Sequence, residues 1–480
     1  MPKLSLTRRS ALLGLAGGLL AAPMITRKSA WATPSKNLVM PALDEGSLAN
    51  GVREFSLDVK AGQTEFLPGV LTDTVGMNAS FLGPVLRLPA GETARFNVAN
   101  KLSEQIAVHW HGLHLPARMD GGPHQPIDPA AIWQPEFPVA QRAGTYWFHA
   151  HQHGKTGAHV WAGMAGVIRV EDAEEDALDL PRTYSEDDFV LVLQDRRFDE
   201  AGQIPYALTM HDKMAGLQGD RLLVNGQLGA SLNVDAPLIR LRLLNGSNGS
   251  IYRVHFADGR SVAQIASDGG LLAAPVMLSE LLLAPGERAE ILLDISDGSP
   301  ALLRAELFGA EAPFSGSNGI RDVLPIIPAR AWAKPPSPTL RLSGLPAIPA
   351  QTGERRTFVL SMSGQGMMGD LLINGVGYDH QRIDFIVAAG STETWLFENR
   401  TEMLHPMHVH AGQFHIVSRN GKPPEPQEAG LKDVVLTHPG EIVEVRMTFP
   451  DYSDRQAPYM YHCHILEHED AGMMGQFTVV

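Results

Sequence analysis

At 480 residues, with 44% hydrophobic side chains, the chain is long enough for roughly three domains of about 150 residues. Its net charge of −14 argues against nucleic acid or anionic lipid as a partner, although acidic solubility and attraction of cations explain it equally well. No internal apolar run is long enough to span a bilayer. Forty-seven glycines and 34 prolines, with short Val, Leu and Ile runs between them, predict many strands and turns and little long helix.

Residues 1–32 read as a leader. Thr7-Arg8-Arg9-Ser10-Ala11-Leu12-Leu13 is a twin-arginine pattern, an apolar stretch runs to Ala22, and Ala30-Trp31-Ala32 offers a cleavage site. Export by the twin-arginine machinery to the bacterial periplasm follows; a membrane anchor is the alternative, but Ala11 to Ala22 is too short to span. The leader carries Lys3, Arg8, Arg9, Arg27 and Lys28 and no acid, so the mature charge is −14 − 5 = −19.

An internal repeat organises the rest. A run from Ala90-Gly91-Glu92-Thr93 through Asn100 to His109-Trp110-His111 recurs from Ala389-Gly390-Ser391-Thr392 through Asn399 to His408-Val409-His410, at an offset of 408 − 109 = 299. Tyr146-Trp147-Phe148-His149-Ala150-His151 recurs as Tyr459-Met460-Tyr461-His462-Cys463-His464, at 459 − 146 = 313. The first and last thirds therefore read as copies of one β-rich unit. The middle third repeats the turn grammar in Ala236-Pro237 and Ala284-Pro285-Gly286-Glu287 with no histidine cluster, and reads as a spacer.

Cys463 is the only cysteine, so no disulfide framework exists and the thiol needs another reason. With His468 five residues on and Met473 ten residues on, it supplies the thiolate, imidazole and weak thioether of a blue copper site. Side chains alternate along a strand, so His462 and His464 are expected to face away from Cys463, toward a second site. Ala150 stands where Cys463 stands and Ile106 where His405 stands, so only the last unit has the thiolate site. The four clusters take ten of the 19 histidines. A structural zinc is a closed set of four ligands and needs no such number. His114, His124, His153, His159, His415 and His438 have no metal-spaced partner and read as ordinary hydrogen-bonding residues.

These motifs resemble those of the multicopper oxidases over nearly the whole mature chain. The carriers are His109-Trp110-His111-Gly112, Trp147-Phe148-His149-Ala150-His151-Gln152-His153-Gly154, His405-Pro406-Met407-His408-Val409-His410 and His462-Cys463-His464-Ile465-Leu466-Glu467-His468. Within the family the chain is most similar to bacterial periplasmic copper efflux oxidases and bacterial laccases. The resemblance implies an all-β fold of three cupredoxin-like Greek-key sandwiches, expected at 45–172, 180–330 and 350–480. It implies four coppers: a type 1 ion on His405, Cys463 and His468 with Met473 axial, a type 2 ion on His109 and His408, and two type 3 ions on His111, His149, His151, His410, His462 and His464. O2 and a small reducing substrate are the implied partners, and the chain is expected to act as a monomer. Asp120 and Glu469 are implied proton-relaying acids, with orientation of a ligand or plain solvation as the alternative for each.

Substrate identity is the thin part of the resemblance. The efflux oxidases carry a methionine-rich insertion in the last domain, whereas here Leu360 to Asp370 runs straight into Leu371-Leu372-Ile373. Met362 and Met403 match positions that bind substrate Cu(I) in those relatives, with core filling as the alternative, and Thr401 stands where they have an acid. A missing insertion predicts a type 1 site more open to phenols and aromatic amines. Three other readings exist: a copper nitrite reductase, which has two domains; a pure electron carrier, which leaves four histidines unexplained; and a copper-free scaffold like the cell-division relatives of the fold, which have lost the ligands kept here.

Overall fold

The computed structural model describes residues 36–309, 319–333, 341–364, 369–449 and 451–480. The leader, Met367 and Met368 lie outside the described residues.

The repeat of the sequence is a repeat of strand pairing. Val108–His111 pairs antiparallel with Gly144–Ala150, placing His109 opposite His149. In the last third, His405–Val409 pairs with Asp454–Cys463 and places His408 opposite His462. The residues opposed in one copy are thus the 299 and 313 mates of those opposed in the other.

Among the described residues six sheets form, two in each third of the chain. In the first third, a sheet built on Val52–Leu67 and Thr93–Asn100 faces one containing Val85–Pro89, Ala165–Glu171, Gly144–Ala150 and Val108–His111. In the middle third, Asp188–Arg196, Leu238–Asn245 and Arg288–Asp294 lie in one sheet, and Tyr252–Phe256, Ala301–Leu307 and Ile320–Pro328 in the other. The last third sets Arg355–Met362, Thr392–Asn399 and Ile442–Thr448 against the sheet that carries His405–Val409 and Asp454–Cys463. Alternation explains the pairing: Thr93–Asn100 buries every second residue, which gives each sheet one face for a shared core. The expected all-β class of three sandwiches holds. No helix among the described residues is long and apolar enough to cross a membrane.

Each sandwich has its own apolar core, and that of the last includes Cys463, Met473, Trp395 and Phe477. Charge is buried between sandwiches. Arg240 and Arg242 of the middle domain share Glu290, whose Oε1 also accepts from Thr145 of the first domain at 2.7 Å, and all four side chains are inaccessible or nearly so. Fully desolvated pairs of this kind hold register between domains only because every partner is present.

Candidate metal centre

Cys463 ends its strand buried in the apolar core, and its Sγ lies 3.5 Å from Nδ1 of both His405 and His468. Both imidazoles are turned by a hydrogen bond on the far side of the ring. Thr401 donates its one hydroxyl hydrogen to Asn399 Oδ1 (2.8 Å) and so accepts from His405 Nε2–H, also at 2.8 Å. His468 Nε2–H donates to the backbone carbonyl of Met214 at 2.8 Å. Each Nδ1 lone pair is therefore left facing the sulfur. Met473 is buried in the same core, its carbonyl accepting from Cys463 N–H at 3.1 Å.

Strand alternation puts His462 on the opposite side from Cys463, as expected. His464 lies past the end of the strand, in the bend before the helix Leu466–Asp470, yet joins the same second group: its ring centroid is 5.0 Å from that of His111 and 5.3 Å from that of His149. That group contains eight buried histidines. His151 and His410 each bring Nε2 to 3.3 Å from Nε2 of His462, and His111 Nδ1 lies 3.4 Å from His149 Nε2. The rings of His109 and His410 stack at 3.9 Å, and those of His111 and His408 at 3.7 Å, each a contact between the first and last domains. All the predicted histidine ligands are thus brought together in two groups: His405 and His468 with Cys463, and the other eight.

Both of the predicted acids, Asp120 and Glu469, lie against this second group. Asp120 accepts from His109 Nδ1–H through its backbone carbonyl (2.9 Å) and from His410 Nδ1–H through its carboxylate (2.6 Å). Burial pushes its carboxyl up, but the two imidazoles outweigh that and leave it below the usual range. Glu469 is buried beside His151 Nδ1 (3.4 Å) and His462 Nδ1 (3.3 Å) and accepts from Thr156 Oγ1 at 2.6 Å; burial, with Asp470 next to it, pushes its carboxyl well up.

The donor chemistry fits copper. His109 Nε2, His408 Nε2 and both ring nitrogens of His464 are buried without a hydrogen-bond partner, a state that costs free energy unless something electrophilic takes the lone pairs. Burial holds the imidazoles neutral, pushing His410 and His468 down to about 4 and His464 to about 3, which is the form that binds metal. Burial also pushes the Cys463 thiol up, so a cation is needed to draw out the thiolate. A thiolate with two imidazoles and a nearby thioether is a copper donor set, and clustered imidazoles suit copper equally.

Several residues at the site were not marked by motif spacing. Asp433 lies 3.0 Å from His111 Nε2. Gly286, in a turn of the middle domain with φ +84°, packs so closely that a Cβ there would lie 3.0 Å from the His464 ring. Glu467 ties the metal loop to the middle domain, and the helix Met210–Ala215 of that domain supplies the Met214 carbonyl. The middle third is thus built into both groups, a role its lack of a histidine cluster concealed. His405 and His468 are themselves fully buried, and the helix Met210–Ala215 of the middle domain lies against His468 through the Met214 carbonyl. Met362 and Met403 are half-buried against the last domain's core.

The fold and these two groups define a cupredoxin-like protein with one thiolate-containing donor group and one histidine cluster shared between domains. Multicopper oxidase family models match residues 58–175 and 351–480. The multicopper oxidase mco of Staphylococcus aureus is 34% identical over 91% of this chain and 91% of its own length. The cell division protein FtsP of Xenorhabdus nematophila is 34% identical over 99% of both. Among solved structures, the multi-copper oxidase of Pediococcus acidilactici superposes with a TM-score of 0.83 at 34% identity, over 92% of this chain and 91% of that one. The laccase-like multi-copper oxidase CueO of Ochrobactrum sp., described as oxidising lignin model compounds and lignosulfonate, gives 0.83 at 35%, over 92% of this chain and all of that one. The chain belongs to the multicopper oxidase family, which implies copper, O2 and a reducing substrate.

Proposed function

We propose that this protein is a periplasmic four-copper oxidase, exported by the twin-arginine pathway, that takes electrons one at a time from a small reducing substrate and reduces O2 to water. The observation that carries this is Cys463 in one donor group with its chain neighbours His462 and His464 in the other, so the two groups are joined covalently by single residues. His405, Cys463, His468 and Met473 would hold the type 1 ion. His109 and His408 would hold the type 2 ion, His151, His410 and His462 one type 3 ion, and His111, His149 and His464 the other. The bearing domains are 45–172 and 350–480, with 180–330 packed between them in sequence and against both groups in space. Copper would supply one-electron exchange at the thiolate, and the four ions together the four electrons that O2 needs to reach two waters.

The chain's own residues do the rest. Thr401 and Met214 fix the tautomers of the type 1 imidazoles, and the apolar core around Cys463 excludes water from the thiolate. Asp120 orients His109 and His410, while Glu469, high in pKa and next to two cluster histidines, is placed to hold a proton there. Electrons enter across the Met214 carbonyl or past Thr401, since no type 1 imidazole edge is exposed. Phenols and Cu(I) both remain substrates in range, and Met362 and Met403 are the thioethers that would capture Cu(I) near His405.

The test is O2 uptake by the copper-loaded protein with Cu(I) and with a simple phenol in parallel, and Cys463→Ser as control. Uptake with either substrate that disappears in the variant supports the oxidase. Uptake with neither, or equal uptake by Cys463→Ser, refutes it. The FtsP likeness favours one second reading, a copper-free scaffold, and a protein that takes up no copper when offered an excess of it would support that reading.

A further inference from the structure

Asp120 has a mate that the domain repeat itself identifies. Adding the second repeat offset gives 120 + 313 = 433, and residue 433 is an aspartate. The contacts of the two acids mirror each other. Asp120 belongs to the first domain, binds His109 of that domain through its carbonyl and His410 of the last domain through its carboxylate. Asp433 belongs to the last domain, accepts from His408 of that domain through its carbonyl (2.7 Å) and from His111 of the first domain through its carboxylate (3.0 Å). Each acid thus fixes one histidine of its own domain and one of the other.

The mirror is broken by a third domain. Asp433 is gripped by Arg288, with Nη1 2.5 Å from Oδ1 and Nη2 2.6 Å from Oδ2, and both residues are buried. The remaining donors of Arg288 go to the carbonyls of Thr145 (3.0 Å), Gly286 (2.9 Å) and Asp268 (2.9 Å), so all five of its N–H groups are used. A planar fork satisfied this completely has one position, and Asp433 inherits it.

Building on the copper reading, we infer that Asp433 is a positioning residue of the histidine cluster, equivalent to Asp120, and that Arg288 of the middle domain sets it. Because an ionised carboxylate only accepts, His111 must carry its proton on Nε2 and present Nδ1 toward His149; His408, donating from Nδ1, must present Nε2. Without this tie, both rings lose the tautomer and angle that make them donors. Asp433→Asn cannot preserve it: an amide oxygen facing His111 leaves an NH2 against the Arg288 guanidinium, and the flipped amide leaves an NH2 against His111.

The experiment measures copper per chain under a graded chelator challenge, together with the blue thiolate absorption, in wild type, Asp433→Asn and Arg288→Lys. Asp433→Asn is expected to keep the blue absorption and to hold its cluster copper about 10–100-fold more weakly. Arg288→Lys, which keeps the charge but not the fork, is expected to shift the same way by less, and it decides the matter if Asp433→Asn does not fold. Cluster copper held as tightly as in wild type overturns the inference. So does equal loss of blue absorption and cluster copper, which marks a general defect. A wild type that holds no copper overturns the copper reading itself and is seen before any variant is made.

Discussion

Glu467 offers the sharpest test of how the middle domain reaches the thiolate site. It lies in the helix Leu466–Asp470, one residue before His468, and is 3% exposed. Its Oε1 accepts from Tyr206 OH (3.0 Å) and Asn248 Nδ2 (2.8 Å), and its Oε2 from Leu217 N–H (2.8 Å), all three donors coming from the middle domain. Glu467→Gln keeps only one oxygen. With that oxygen at the Oε1 place, the new NH2 faces the Leu217 N–H; flipped, it deserts Tyr206 and Asn248. One buried donor left unpaired costs about 1–3 kcal/mol. The lower half of that range is expected, because burial already pushes the Glu467 carboxyl up and a neutral amide is cheaper to bury. Leu217 follows the helix whose Met214 carbonyl caps His468, so the loosening is local to residues 206–217 and uncovers the type 1 imidazole. Hydrogen exchange on the copper-loaded protein should speed up at Leu217 by roughly 5-fold or more, since 1.4 kcal/mol is tenfold. Phenol oxidation should rise with it. Unchanged exchange at Leu217, or an equal increase in the strand Ala301–Leu307, which belongs to a different core cluster from Leu217, would refute the reasoning.

Two further outcomes test the energetics. Glu290→Gln leaves the buried Arg240 and Arg242 short of a charge partner and should cost about 3–5 kcal/mol, seen as a lowered melting temperature, whereas Arg330→Gln, which breaks an exposed pair with Asp235, should change little. Equal effects from the two would contradict it. Burial holds His159 below its ordinary 6.5, with Glu104 opposing and Lys155 assisting. The folded protein therefore binds fewer protons than the unfolded chain at this residue. That stability is present above pH 6.5 and is lost as pH falls below it, by at most about 1.4 kcal/mol per pH unit. Urea unfolding of the copper-loaded protein between pH 7.5 and 5.5 should lose less stability in His159→Phe than in wild type; identical slopes would exclude His159 as a contributor.

What could be read in advance was what local chain geometry encodes. The ligands come as pairs two residues apart and as a thiolate with histidine five residues on, so one strand or one bend determines where they point. The two copies of the unit, set side by side, identify which histidines are equivalent, and the strand register then sets equivalent pairs opposite one another. Contacts across long separations were not legible: His111 and Asp433 are 322 residues apart, His468 and Met214 254, Glu467 and Leu217 250. Met214 uses a backbone carbonyl, which leaves no mark on residue type. Asp433 was within reach, because the offset of 313 that pairs Tyr146 with Tyr459 also pairs Asp120 with it; a lone aspartate beside Lys432 carries no metal-like spacing and reads as a solvated acid without that step.

Whole-chain likeness does not separate an oxidase from a cell-division scaffold, since both kinds of relative stand at 34% identity. The separation rests on what it costs to keep the site. Three imidazole lone pairs, on Nε2 of His109, Nε2 of His408 and one ring nitrogen of His464, are buried with no hydrogen-bond partner. At about 1–3 kcal/mol for each such group, an empty site would consume much of the 5–15 kcal/mol by which a domain is stable. A scaffold relieved of metal binding would gain by filling this space with apolar side chains, as the rest of each core is filled. That all ten histidines, the thiol and the two orienting aspartates stand in register, with hydrogen bonds turning the lone pairs of His109, His405, His408 and His468 inward, is the arrangement expected where copper offsets the cost.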